Sequence, residues 1–140
     1  MEVEGSSMSV RAMTNLIKYR GGIGQLSFVL HRLTGLGILL FLVIHVVDTS
    51  TVFFFPSLYA DAIAVYRSVP FMVGEIFLVF SVIYHGVNGA RIAIFDLALV
   101  KKWETKSQHN SAIWTLVIAM VLWLPAAFIM GRNVLEKLGV

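Results

Sequence analysis

Apolar residues run through three long stretches of this 140-residue chain, and charged residues gather before and between them. The first stretch runs from about Leu26 to Phe55, with an uncharged centre from Leu33 to Val47. The second covers about Phe71 to Val100, and the third about Ser111 to Met130. Each meets the ~20 residues that a helix needs to cross bilayer hydrocarbon. The pattern predicts an all-α integral membrane protein with three transmembrane helices near 26–55, 71–100 and 111–130. They form a membrane domain over 25–130, after a polar arm at 1–24 and before a short tail at 131–140. Pro56, Asp61, Arg67 and Pro70 mark the first connection, in which Tyr59 to Tyr66 suits a short interfacial helix. The segment K-K-W-E-T-K-S-Q-H-N forms the second.

Composition agrees with the pattern. The chain is 58% hydrophobic and 14% charged, with a mean hydropathy of +0.83. Soluble domains are ~45–50% apolar and ~25% charged, so lipid must be the solvent for most of this surface. The formal charge of +3 does not point to nucleic acid, because the basic residues flank apolar spans and form no dense patch. Arg11, Lys18, Arg20 and Arg32 lie at the start, and Lys101, Lys102 and Lys106 in the second connection. The other side has only Arg67, Arg132 and Lys137. The positive-inside rule puts the N-terminus and second connection in the cytoplasm (the matrix, in a mitochondrion) and the tail opposite. The absence of cysteine excludes disulfides and iron–sulfur ligation by this chain. Met1 to Gly24 has no apolar core of signal-peptide length.

Ionisable residues within spans are costly and are functional candidates by default. The first span carries His31, Arg32, His45 and Asp48, and the second Glu75, His85, Arg91 and Asp96. At about 100° per residue, Ser27, His31, Thr34, Ile38, Phe41 and His45 share one stripe. Gly74, Leu78, Ser81, His85, Gly89, Ile92 and Asp96 share another, with Asn88 at its edge. Arg91 points roughly 120° from His85 and suits a headgroup or a neighbouring subunit.

Neutral imidazoles held on rigid helices suit haem iron. His85 is then an axial ligand, with Gly89 leaving room for the macrocycle; equally, small residues serve close helix packing and a buried histidine can simply hydrogen-bond. His45 lies thirteen residues inside Arg32, ~20 Å along the axis, and His85 eleven inside Asp96, ~16 Å. His45 therefore has three readings: ligand to a second haem, partner of His85 on one haem, or hydrogen bond to another helix. Ser27, His31 and Arg32 at the mouth of the first span suit haem propionates or a quinone, whose carbonyls need donors and protons. Arg32 alone also reads as a snorkelling anchor. Asp48 and Glu75 near the span ends are expected to be solvated, and His109 to be a surface loop residue. Trp114, Trp123 and Pro125 read as scaffold, interfacial aromatics and a kink.

Two stretches resemble the larger membrane-anchor cytochrome b subunit of succinate dehydrogenase (succinate:quinone oxidoreductase, complex II). S-F-V-L-H-R-L-T-G, Ser27 to Gly35, is similar to the family's H-R-x-[ST]-G. H-G-V-N-G-A-R-I-A-I-F-D, His85 to Asp96, is similar to its H-x-x-x-G-x-R-x-x-x-x-D. The resemblance implies that His85 is the axial ligand of haem b, with the other ligand on a second, smaller anchor subunit. It implies a ubiquinone or menaquinone site at Ser27, His31 and Arg32. Haem-propionate or supporting roles fall to His31, Arg32, Asn88, Gly89, Arg91 and Asp96. The family serine three residues before the histidine is replaced by Phe28, with Ser27 one position earlier. Two-haem members carry a deep histidine like His45, so one haem or two are implied. FAD and iron–sulfur clusters belong to the flavoprotein and iron–sulfur partner subunits, where succinate is oxidised. The expected location is a bacterial or archaeal cytoplasmic membrane in preference to the mitochondrial inner membrane. The alternatives are a fumarate reductase anchor, a haem-free anchor and a small His/Asp proton-relay protein.

Overall fold

The computed structural model describes residues 22–99 and 105–139, so Arg11, Lys18, Arg20, Lys101 and Lys102 lie outside the described residues. Within them lie four helices: α1 (Ile23–Phe54), α2 (Pro56–Tyr66), α3 (Val69–Leu97) and α4 (Thr105–Leu138). α1, α3 and α4 are each long and apolar enough to cross a membrane. This is an all-α integral membrane protein. At ~1.5 Å per residue, the 32 residues of α1 extend about 48 Å, well beyond the ~30 Å hydrocarbon core. The helix ends therefore project from the membrane or the helices tilt.

Local chemistry sets the breaks. Phe55, before Pro56, is pushed out of helical geometry (φ −144°, ψ 71°), and Pro56 then starts α2 at the position where its missing N–H costs nothing. Arg67 and Ser68 make the turn into α3, which carries Pro70 in its first turn. Thr49, Ser50 and Thr51 sit near the end of α1, and each hydroxyl donates to a carbonyl three or four residues back. These three hydroxyls are thereby satisfied within their own helix.

α4 is longer at both ends than its apolar stretch. The expected loop around His109 is helical, with His109 exposed, and the expected tail from Gly131 continues the helix to Leu138. Hydrophobicity marks where lipid ends. The helix stops only where something breaks it, and a single glycine such as Gly131 costs about 1 kcal/mol. The Arg132–Glu136 ion pair (3.4 Å) is exposed and contributes little.

α3 is central, packing most extensively on α4 and then on α1. Its buried stripe is Tyr84, Asn88 and Phe95. α4 presents the small residues Ala112, Thr115 and Ala119 to the interior, which lets helices approach closely. Trp123 was expected among the interfacial aromatics. Instead its indole N–H donates to the Ile76 carbonyl (3.0 Å) and its ring meets Phe80 edge-on (5.6 Å), tying α4 to α3. Trp114 is exposed. Most large apolar side chains of α1 are also exposed, as a lipid or a partner helix requires.

The end of the bundle where α1 begins is called here the near end, and the end carrying α2 the far end.

Candidate functional site

At the near end, α1 and α3 are locked by a buried hydrogen-bond chain. The Tyr84 hydroxyl contacts the oxygen of Ser27 (3.2 Å) and its backbone carbonyl (3.3 Å). Ser27 in turn donates to Asn88 Oδ1 (3.0 Å). Ser27, Tyr84 and Asn88 are all at most 5% exposed. A tyrosine in mid-span needs a partner for its hydroxyl, and that need was the one sequence signal for this cluster. Ser27, expected at a quinone site, has its hydroxyl committed to holding the helices. The side chain at Phe28 faces outward instead, with the Arg32 guanidinium 4.1 Å over its ring.

One turn deeper the two histidines meet. The rings of His31 and His85 stack with centroids 4.0 Å apart and planes within 4°. His85 Nδ1 lies 3.1 Å from the backbone oxygen of His31 and 3.5 Å from the Thr34 hydroxyl. A carbonyl only accepts, so Nδ1 carries the proton and Nε2 keeps its lone pair. That hydroxyl itself donates to the Leu30 carbonyl (2.7 Å). Gly35 makes the approach possible: a Cβ there would meet His85 Cε1 at 2.8 Å. Gly89 faces His31, where a Cβ would lie 3.7 Å from Cε1, an ordinary contact. His85 is thus clamped on one edge and half-buried. The seam offers one oriented imidazole nitrogen able to bind a metal or accept a hydrogen bond.

Two buried polar atoms beside this seam lack partners, His31 Nδ1 and Arg91 Nε. Arg91, read as lying roughly 120° from His85, is half-buried. It lies seven residues from Tyr84, two helical turns, and shares the buried stripe. Asp96, on the last turn of α3, is exposed.

His45 lies elsewhere. It is exposed in this chain, stacks on Phe41 (5.3 Å) and lines an open far-end cavity of about 450 Å³ between α1, α2 and α3. His85 packs against Gly35, and His45 is ten residues further along α1, about 15 Å. Two imidazoles on one metal, at the ~2.0–2.1 Å typical of metal–imidazole bonds, have nitrogens only about 4 Å apart. His45 and His85 therefore cannot share one iron. Asp48 and Glu75, expected to be solvated, line the same cavity; Glu75 is exposed, whereas Asp48 Oδ2 is buried without a partner. Among the described residues no three His, Asp or Glu side chains converge as a metal cage.

The sequence matches, over residues 11–126, the family described as succinate dehydrogenase/fumarate reductase transmembrane subunit. The chain belongs to that family. It is 28% identical over 120 residues to the succinate dehydrogenase 2 membrane subunit SdhC of Mycobacterium tuberculosis, covering 84% of this chain and 85% of that protein. A transmembrane subunit of this family is one component of a larger membrane complex. The whole near-end seam and the His45 cavity fall inside the matched span, whereas Lys137 on the last turn of α4 falls beyond it.

Proposed function

We propose that this subunit anchors a succinate dehydrogenase in a bacterial cytoplasmic membrane, binds haem b through His85 and helps form the quinone-reduction site. The observation that carries the reading is the clamped His85 ring. Its Nδ1 is occupied by the His31 carbonyl and its Nε2 is free, which is how haem-binding and metal-binding imidazoles are commonly oriented. The unpartnered His31 Nδ1 and Arg91 Nε, both beside the seam, suit an incoming carboxylate such as a propionate. Asn88, Gly89 and Asp96 support the seam, by hydrogen bond, by small size and by position at its mouth. Haem b would supply reversible one-electron chemistry when bound, held by His85 together with a residue that the smaller anchor subunit would provide.

The near end faces the cytoplasm, since the basic residues of both near-end segments follow the positive-inside rule. There the flavoprotein and iron–sulfur subunits dock, carrying FAD and the clusters. Quinone binds beside His31 and Arg32. The guanidinium donates to a quinone carbonyl and stabilises negative charge as it develops, while the imidazole can pass a proton. Ser27 contributes indirectly by fixing the helix that bears both. Succinate oxidation is favoured over fumarate reduction by the likeness to a succinate dehydrogenase subunit.

His45 is read as the ligand of a second haem. The reading rests on the one imidazole that lines a far-end cavity of about 450 Å³.

The test is His85→Ala in the purified complex. Loss of one b-type haem signal, with succinate oxidation by a soluble dye retained, is expected. An unchanged reduced-minus-oxidised spectrum and haem-to-flavin ratio would end the assignment.

A further inference from the structure

Arg32 is exposed on α1, and its guanidinium carbon lies 4.1 Å above the centre of the Phe28 ring. The geometry of the helix produces this meeting. Helical Cα–Cβ bonds tilt towards the N-terminus, so a long side chain at position 32 runs back over position 28, one turn earlier. The same direction leads to water at the near end, where an untethered arginine in a membrane helix extends its head. Phe28 lies five residues, about 8 Å, inside the start of α1 and is 50% exposed, so its ring stands in that path.

A positive charge over an aromatic face is attracted by the quadrupole of the ring. The attraction neutralises nothing, so the guanidinium keeps its charge and its N–H donors for a ligand. A carboxylate in the same place would take both. Among the described residues Arg32 is in no ion pair. Its neighbours are fixed by contacts between helices: the Ser27 hydroxyl is occupied by Tyr84 and Asn88, and the His31 ring is stacked on His85. Arg32 rests on the Phe28 ring of its own helix instead.

We propose that Phe28 is a positioning residue for quinone reduction, whose ring keeps Arg32 from extending to bulk water and holds its guanidinium beside the quinone carbonyl. This rests on the reading of Arg32 as a quinone-binding residue. An arginine gives up rotamer freedom when it grips a ligand, and one already seated on a ring has given up part of it beforehand. Phe28 acts through Arg32 alone.

The experiment is steady-state kinetics of the intact purified complex, with short-tailed ubiquinone and menaquinone analogues as acceptors and dye-linked succinate oxidation measured alongside. Phe28→Leu keeps an apolar side chain but has no aromatic face. It should lower kcat/KM for the quinone by roughly two- to thirtyfold, the range expected for a lost cation–aromatic contact. Phe28→Met should do the same, which keeps the idea testable if the leucine variant fails to assemble. Phe28→Tyr retains the face and should restore the wild-type value. In an Arg32→Ala background Phe28→Leu should change nothing further. Dye-linked oxidation and haem content should stay at wild-type levels in every Phe28 variant. Wild-type kcat/KM in Phe28→Leu and Phe28→Met, with Arg32→Ala impaired, overturns the positioning role alone. So does a Phe28→Leu loss of equal size with and without Arg32, because the ring would then act on its own. Quinone reduction unaffected by Arg32→Ala overturns the quinone site at Arg32 and this proposal with it.

Discussion

Gly35→Ala is the smallest change that should disturb the His85 seam. An alanine Cβ would lie 2.8 Å from His85 Cε1 and 3.2 Å from Nδ1. Carbon atoms in favourable contact sit ~3.5–4.0 Å apart, so the ring or the helix must retreat by about 0.7 Å. The ring cannot do this freely. It is stacked on His31 at 4.0 Å, and its Nδ1 is held at 3.1 Å from the His31 carbonyl. A retreat of that size along the hydrogen bond takes it past the ~3.5 Å at which such a bond ceases to count. Overpacking costs about 1–3 kcal/mol and the lost bond about 0.5–1.5 kcal/mol. At 1.4 kcal/mol per factor of ten, ligation through His85 should weaken by roughly ten- to a thousandfold. The assay is the haem-to-flavin ratio and b-type spectrum of the purified complex, with thermal stability in detergent alongside. A variant with wild-type haem content, spectrum and stability would refute the claim that Gly35 sets the ring's place.

Ser27→Ala removes the hydroxyl shared by Tyr84 and Asn88 and should lower stability by about 1–3 kcal/mol. Thermal denaturation should show this while the KM for quinone stays put; a raised KM at unchanged stability would place Ser27 at the quinone instead. Arg32→Ala should cut quinone reduction by about ten- to a hundredfold, as loss of a hydrogen bond from a charged donor worth about 1.5–3 kcal/mol implies. Dye-linked succinate oxidation should persist, and equal loss of both activities would indicate failed assembly. Trp123→Phe keeps an aromatic side chain but drops the bond to the Ile76 carbonyl and part of the indole's packing, so at least about 1 kcal/mol of stability should go with no change in the haem spectrum.

The three spans, the polar ends, the histidines and the two motifs were all legible in the order of residues. That is because bilayer thickness and the need to satisfy every backbone group inside it act along the chain, one segment at a time. The inward stripe of α3 was not legible. Reading from His85 suggested one line of residues, whereas Tyr84, Asn88 and Phe95 form the buried line, about 100° away. Only packing decided that Ser27 is a helix lock, that Trp123 bonds α3, and that His45 and His85 occupy separate sites. In water an apolar face reports burial. In hydrocarbon the lipid-facing and protein-facing sides are equally apolar, so which side packs is settled by small residues and hydrogen bonds between helices.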